Sequence, residues 1–352
     1  MSLTASVMPC LSGAVLCRLV HVRGVSQGLP GCSVLSRALP FGSTAGSTAD
    51  ARAGGLPLPQ PGLGVGFAPE VSDGNRCKGM PLATNPIDHV RTFFEDSGGS
   101  GPPVLVYPGF TDPLEYAKAT SLAQGLNEDF RLIFADHRGQ GRSDKPHEVA
   151  SYALTTRVAD ATAILDTLGI ERAHYIGFSW GARLGFAILE HAPERVLTMV
   201  LCGNQPYEWP IDGPMLRAVS EAVAAGTQHG MVAFVETWES AIGKRFPEPE
   251  RTWMLENNPL ALDAAFRSVF VEGAISQQVA KWTVPCLIYA GAEDEMHQGA
   301  ERAAAEIPNA SFLSLPGHTH FSAERVADEL LPRVRELFRL PNHHAKQSAS
   351  DE

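Results

Sequence analysis

The sequence of 352 residues lacks several patterns that would assign it to other classes of protein. It has no His-Glu-x-x-His pair, no Cys-x-x-Cys pair and no P-loop, so zinc-protease, paired-thiol and nucleotide-binding sites have no support. The formal net charge is -11 and no basic run occurs, which argues against a nucleic-acid partner because phosphates require clustered Lys and Arg. No apolar run is long enough to span a membrane. We therefore expect a small-molecule substrate, with no metal and no cofactor.

The first 79 residues differ in composition from the rest of the chain. They are rich in Gly, Ser, Pro and Ala and contain no acidic residue before Asp50, which predicts low order. Three origins are open: an upstream start ahead of a natural product that begins at Met80, an organelle transit peptide, or, least convincingly, a secretory signal. We favour the first, which predicts a cytoplasmic protein, whereas a transit peptide would predict an organelle matrix.

Strand-like and helix-like patterns alternate from Met80 onwards. Short apolar runs predict strands at 90–94, 104–107, 130–135, 173–178, 196–202, 284–289 and 311–315, the first two of which suggest an antiparallel opening hairpin. Helical spacing occurs at 117–126, 158–168 and 326–337. This rhythm indicates βαβ units. The predicted fold class is therefore α/β, with a mostly parallel twisted sheet that helices cover on both faces.

One serine stands between two glycines at a predicted junction of strand and helix. In the stretch 176–182, Ile-Gly-Phe-Ser-Trp-Gly-Ala, Ser179 lies between Gly177 and Gly181. The glycines remove Cβ atoms that would collide with the packed elements, and the serine hydroxyl is then exposed at the carboxyl edge of the sheet. The stretch resembles the nucleophile elbow of the α/β-hydrolase superfamily. The loop 136–143, Asp-His-Arg-Gly-Gln-Gly-Arg-Ser, matches a second pattern of that superfamily and predicts a fixed structural turn.

The resemblance implies a nucleophilic serine that is followed along the chain by an acid and a histidine. Three acidic residues follow the strand 284–289, and the family pattern favours Asp294, with Glu293 and Glu295 as the fallback. After the last strand, the pattern favours His320 over His318 as the general base. The expected catalytic residues are Ser179, Asp294 and His320.

The resemblance also implies two backbone N–H groups that stabilise the oxyanion. One is the amide of Trp180, directly after the serine. The other is the amide of Phe110, in the loop after the strand 104–107. That loop has Pro108 where the superfamily usually has histidine, so how the loop is anchored stays open.

A cap over the pocket is also expected, because the alternation of strands and helices stops between residues 204 and 282. Helical spacing predicts helices at 215–225, 231–242 and 260–271, separated by Gly226, Gly230 and a turn at 247–249. The superfamily inserts its cap at this position. The predicted organisation is a core of 80–203 and 283–340, a helical cap of 204–282 and a flexible tail of 341–352.

Several reactions are compatible with the resemblance. Dehalogenases and epoxide hydrolases of this fold use an aspartate nucleophile, so a serine at position 179 argues against both. We expect hydrolysis of a small carboxylic ester or lactone through an acyl-enzyme. Carbon–carbon hydrolysis of ring-cleavage products, with Arg183 on a substrate carboxylate, and cofactor-free haloperoxidase or perhydrolase chemistry are alternatives. A catalytically silent binding protein is a further alternative, and the oligomeric state is open.

Overall fold

The computed structural model describes residues 81–210 and 212–340, and the expectations for the first 79 residues and for the tail 341–352 lie outside them. The strands of this part form one sheet of eight in the order β1-β2-β4-β3-β5-β6-β7-β8. The strands from β3 to β8 are parallel, whereas β2 is antiparallel to both β1 and β4. Their bounds are β1 (Leu82–Thr84), β2 (Arg91–Asp96), β3 (Pro103–Tyr107), β4 (Arg131–Ala135), β5 (Ala173–Phe178), β6 (Val196–Cys202), β7 (Cys286–Gly291) and β8 (Ala310–Leu315).

Helices cover both faces of the sheet. Helices α3, α4 and α9 pack with one set of strand residues in one apolar core, and α1, α2 and α11 pack with the alternate set in a second core. This arrangement confirms the predicted α/β class. The helices of the described residues are α1 (Leu114–Ala119), α2 (Ser121–Leu126), α3 (Leu154–Thr167), α4 (Trp180–His191), α5 (Pro214–His229), α6 (Met231–Ile242), α7 (Glu250–Leu255), α8 (Pro259–Glu272), α9 (His297–Glu306), α10 (His320–Ala323) and α11 (Ala327–Phe338).

The predicted opening hairpin between 90–94 and 104–107 is wrong. Strand β2 pairs with β1 and β4, whereas β3 lies in the interior of the sheet between β4 and β5. The physical reason is visible in β3 itself, where Val104, Leu105 and Val106 are all buried. An apolar run without alternation is typical of a strand that is covered on both faces.

Two helix boundaries also differ from the prediction. The single helix expected at 117–126 is two helices, because Thr120 has an extended backbone and its hydroxyl accepts a hydrogen bond from the Ala123 amide at the start of α2. Gly226 lies inside α5 and does not end it. A Cβ atom there would lie 3.0 Å from the Cβ of Phe234, so the glycine permits the close contact between α5 and α6.

Four helices, α5 to α8, lie between β6 and β7, where the sequence predicted an insertion. We call them the inserted helices. They form an apolar core of their own around Phe234, Trp238 and Phe266, against which Phe110 of the loop after β3 and Phe321 of α10 pack. No helix in the described part of the chain has both the length and the apolar character needed to cross a bilayer.

Buried charges connect the inserted helices to the sheet. Arg183 of α4 is fully buried and donates from Nη2 to the carbonyl oxygen of Gly273, 2.7 Å away at the end of α8. Burial lowers the pKa of Arg183 to about 10, and the charge of Glu272 opposes that shift. Glu272 acts in the same way on the buried Arg157 and accepts a hydrogen bond from the Leu154 amide. One carboxylate thus compensates two buried guanidinium groups.

Replacement of Glu272 by Gln tests this connection. The amide keeps the shape and the acceptor oxygen but removes the charge, which leaves two buried cations uncompensated. We expect the free energy of unfolding to fall by about 3 kcal/mol, measured by urea denaturation. Glu236→Gln, on the exposed face of α6, is the control and should leave stability unchanged. Equal stability of the two variants would contradict the role given to Glu272.

Candidate active site

Ser179 lies in a strained turn between β5 and α4. Its φ of 49° and ψ of -105° are rare for a residue with a side chain. The turn is held from both sides: the Ser179 amide donates to the Cys202 carbonyl at 2.8 Å, and Asn204 Nδ2 donates to the Ser179 carbonyl at 2.9 Å. A Cβ on Gly181 would lie 2.4 Å from the carbonyl oxygen of Tyr107, so only glycine permits this approach of α4 to β3.

The structure brings the three predicted catalytic residues together at the carboxyl edge of the sheet. His320 Nε2 lies 3.0 Å from Ser179 Oγ, and His320 Nδ1 lies 2.9 Å from Asp294 Oδ2. Asp294 and His320 are both buried. Because an ionised carboxylate only accepts hydrogen bonds, Asp294 places the imidazole proton on Nδ1 and leaves Nε2 free to accept the serine proton.

The fallback residues occupy other positions. Glu293 is exposed, and its amide donates to the His318 carbonyl at 3.0 Å. Glu295 Oε1 accepts from the Met215 amide at 2.9 Å, at the start of α5. Neither carboxylate hydrogen-bonds to His320. The geometry therefore supports Asp294 and His320 over the alternatives, and their catalytic role stays a prediction.

Gly203, directly after β6, is a site residue that the sequence analysis missed. It has a φ of +64°, and a Cβ there would lie 3.1 Å from His320 Cε1 and 3.2 Å from Asp294 Oδ2. The glycine therefore leaves room for the imidazole and carboxylate to meet. Strand β6 lies between β5, which leads to Ser179, and β7, which leads to Asp294. A glycine directly after β6 was the signal available in the sequence.

We expect Gly203→Ala to lower kcat by about tenfold or more with little change in KM, because its Cβ displaces the His320–Asp294 pair. Steady-state kinetics on an ester substrate measure the effect. Gly169→Ala is the matched control, since Gly169 has a φ of +66° but open space around it. An equal loss in both variants would mean that backbone strain, and not the contact with His320, causes the effect.

The two expected oxyanion donors border the same cavity as Ser179. Trp180 is the first residue of α4, where a backbone amide has no acceptor within the helix. The Phe110 ring lies 5.3 Å from the Trp180 ring, and the Arg157 guanidinium lies 4.3 Å above that indole on its buried side. Phe110 and Trp180 are thus brought together beside the serine, and their role as donors stays a prediction.

The loop that carries Phe110 is anchored from three directions, which answers the question raised by Pro108. The Pro108 carbonyl accepts hydrogen bonds from the Gly181 amide at 3.1 Å and from His137 Nε2 at 3.0 Å. Burial lowers the pKa of His137 to about 3, so the ring is neutral. On the other side of Phe110, Gln140 Oε1 accepts from the Thr111 amide at 2.7 Å. The structural loop 136–143 therefore holds the loop that carries Phe110 in place.

Thr111 itself has a φ of 73°, a strained value for a β-branched residue. Its carbonyl accepts from Asn257 Nδ2 at 2.9 Å, and Asn257 lies between α7 and α8. The inserted helices thus help to fix the loop. Such strain persists only where surrounding contacts determine the backbone, as Gln140 and Asn257 do here.

Gln140→Leu tests the anchoring. The substitution removes the acceptor of the Thr111 amide, and the loop that carries Phe110 loses its fixed geometry. We therefore expect kcat to fall by about tenfold while KM changes little. Initial-rate measurements with an ester substrate provide the readout. Gln124→Leu on the exposed face of α2 serves as the control. An unchanged kcat in Gln140→Leu would show that Gln140 does not position the loop.

A cavity of about 590 Å³ opens above Ser179. Most of its wall is apolar, and no group of residues in the described ranges could hold a metal ion. Arg183 does not border the cavity, because its guanidinium is buried against Gly273 and the Trp209 ring. The expectation that it binds a substrate carboxylate therefore has no support. The Phe, Trp and Tyr residues of the wall are Phe110, Tyr116, Phe178, Trp180, Trp209, Trp238, Phe246, Phe266 and Phe321.

Comparison with known proteins agrees with this geometry. A family model described as alpha/beta hydrolase fold matches residues 102–236. The chain is 25% identical over 279 residues to a fluoroacetate dehalogenase from Burkholderia sp, covering 68% of this chain and 88% of that protein. It is 31% identical over 122 residues to 2-hydroxymuconate semialdehyde hydrolase from Pseudomonas sp. (strain CF600), covering 35% and 43%.

A solved structure has the same fold. The crystal structure of a hydrolase from Pseudomonas aeruginosa PA01 superposes with a TM-score of 0.63 at 25% identity, over 73% of this chain and 98% of that chain. The parallel sheet, the strained turn after β5 and these similarities agree with one another. The described residues therefore have the α/β-hydrolase fold, and the chain is similar to members of that superfamily.

Proposed function

We propose that the chain is a serine hydrolase that cleaves small carboxylic esters or lactones through an acyl-enzyme. The observation that carries the proposal is the hydrogen-bonded series Ser179, His320 and Asp294, with distances of 3.0 Å and 2.9 Å. A serine hydroxyl is a weak nucleophile at neutral pH, and a histidine held in one tautomer by a carboxylate is the arrangement that activates it.

The proposed reaction has two halves. His320 removes the Ser179 proton as the oxygen attacks the carbonyl carbon, and the amides of Phe110 and Trp180 stabilise the oxyanion. His320 then gives its proton to the leaving alcohol, which leaves an acyl group on Ser179. Water repeats the sequence and releases the acid. Asp294 stabilises the imidazolium in both halves.

A serine nucleophile argues against dehalogenation, the reaction for which the fluoroacetate dehalogenase relative is named. Displacement of a halide by a carboxylate gives an ester, which water can cleave. Displacement by Ser179 would give an ether, which this site could not hydrolyse. The same reasoning disfavours epoxide opening. Acyl transfer is the chemistry in which a serine forms an intermediate that water resolves.

We also propose that the inserted helices act as a cap over the cavity. Trp238 and Phe266 of these helices line it opposite Ser179, and Asn257 contacts the oxyanion loop. A cap that excludes water strengthens electrostatic interactions at the carbonyl. Carbon–carbon hydrolysis is disfavoured by the burial of Arg183 away from the cavity. A cytoplasmic location stays a prediction.

Hydrolysis of a short p-nitrophenyl ester series by the full chain tests the proposal. The Ser179→Ala variant is assayed beside the wild-type protein. We expect turnover by the wild-type protein and a loss of about 10⁶ in kcat for the variant. Ser121→Ala, at the exposed start of α2, should retain full activity. Equal inertness of wild type and Ser179→Ala would reject ester hydrolysis and favour carbon–carbon substrates or ligand binding.

A further inference from the structure

One wall of the cavity is polar, and its groups come from three separate elements. Tyr116 lies on α1, Glu250 begins α7, and Glu324 and Arg325 follow α10. Asp112 precedes α1 on the loop that carries the oxyanion donor. In total six acidic and three basic residues line the cavity: Asp112, Glu250, Glu293, Asp294, Glu295 and Glu324 against Lys244, Arg245 and Arg325.

Four of these polar groups, Tyr116, Glu250, Glu324 and Arg325, are paired with one another. Arg325 Nη2 lies 2.7 Å from Glu250 Oε1. The Tyr116 hydroxyl hydrogen-bonds to Glu324 and to Arg325. Burial, reinforced by the charge of Asp112, raises the pKa of Glu324 well above its usual range. Glu250 and Arg325 compensate each other's charge.

Asp112 differs from its neighbours. Within residues 81–210 and 212–340 its carboxylate forms no hydrogen bond and no ion pair, although it borders the cavity. Arg325 acts on it only at longer range. Asp112 is half-buried. A partly desolvated carboxylate without a partner is destabilised, and a cation beside it would offset that cost.

The position of Asp112 relates it to the leaving group. A Cβ on Gly109 would lie 2.8 Å from Asp112 Oδ2 and 3.2 Å from the Phe178 ring, so the carboxylate and the ring flank the same glycine. The Phe178 ring in turn lies 5.3 Å from the His320 ring. Because His320 gives its proton to the leaving alcohol, that alcohol lies on the histidine side of the cavity.

The aromatic wall of the cavity also favours a positively charged group. Nine Phe, Trp and Tyr side chains line the cavity, and the face of an aromatic ring attracts a cation. The cationic residues Lys244 and Arg245 are exposed and lie between α6 and α7, apart from the loop of Asp112. An apolar pocket that has the unpaired carboxylate of Asp112 on its wall favours a ligand that is both bulky and positively charged.

We propose that the cavity takes esters whose alcohol part carries an ammonium group, held between the Asp112 carboxylate and the aromatic wall. This substrate class rests on the proposed ester hydrolysis. It makes Asp112 a residue that determines specificity, in contact with substrate but not with the reacting atoms.

The preference for ammonium-bearing esters should increase as pH rises. Burial and then the charge of Glu250 raise the pKa of Asp112 to about 7, and Arg325 opposes the shift. The groups that face Asp112 are Tyr116, Glu250, Glu324 and Arg325. Since a carboxyl group gains its charge as pH rises, attraction for the ammonium group is present above pH 7 and is lost below it.

The test compares butyrylcholine with 3,3-dimethylbutyl butyrate, in which carbon replaces the charged nitrogen. We measure kcat/KM for both between pH 5.5 and 8.5 by release of butyrate, with the full chain. The ratio of the two values cancels any titration of the catalytic residues that both esters share. We expect the ratio to reach about ten at the alkaline end and to fall as pH drops through 7.

Two variants complete the experiment. Asp112→Asn should bring the ratio close to one at every pH, whereas Asp166→Asn, at the exposed end of α3, should keep the wild-type profile. Tetramethylammonium chloride should inhibit hydrolysis of the neutral ester by the wild type competitively, more than sodium chloride at equal ionic strength. That inhibition provides a readout should Asp112→Asn fail to fold.

The outcomes are distinct. Turnover of both esters by the wild type with a ratio near one would overturn the inference and leave ester hydrolysis standing. A preference for butyrylcholine that survives in Asp112→Asn would overturn the assignment to Asp112. No turnover of either ester or of p-nitrophenyl esters would overturn the proposed function, and this inference with it.

Discussion

Close contact between α4 and the ends of β3 and β5 determines where the reacting groups lie. Glycine at 177 and 181 lets the helix approach the strands, and the Gly181 amide then donates to the Pro108 carbonyl. The same turn gives Ser179 its positive φ and exposes its hydroxyl. The Ser179 hydroxyl, the amide of Trp180 and the loop that carries Phe110 are therefore positioned by one packing contact. A side chain at either glycine would move all three together.

The rest of the molecule compensates for the strain and buried charge of this arrangement. Ser179 and Thr111 both have positive φ values, and each is held by hydrogen bonds from elements distant in the chain. The inserted helices take part through Asn257 and through Glu272, whose charge acts on two buried arginines. Their place between β6 and β7 thus serves stability as well as the shape of the cavity, and the core and inserted helices depend on each other.

The sequence was sufficient for the features that follow from local pattern and chain order. The parallel sheet followed from apolar runs. The choice of Ser179, Asp294 and His320 followed from the resemblance to the α/β-hydrolase superfamily, applied to residues that follow strands at one edge of the sheet. Features that depend on packing between distant segments were missed or wrong: the pairing of β2, the clearance at Gly203 and the unpaired carboxylate of Asp112. Each depends on which elements become neighbours in space, and spacing along the chain does not contain that information.

The most direct test of the account identifies the atom that carries the acyl group. The wild-type protein is mixed with a p-nitrophenyl ester, quenched within the first turnover and digested, and the peptides are examined by mass spectrometry. The account predicts that the acyl mass is found on the peptide that contains Ser179 and disappears as the acid is released. An acyl group on another residue, or turnover with no acylated peptide at any time, would contradict it.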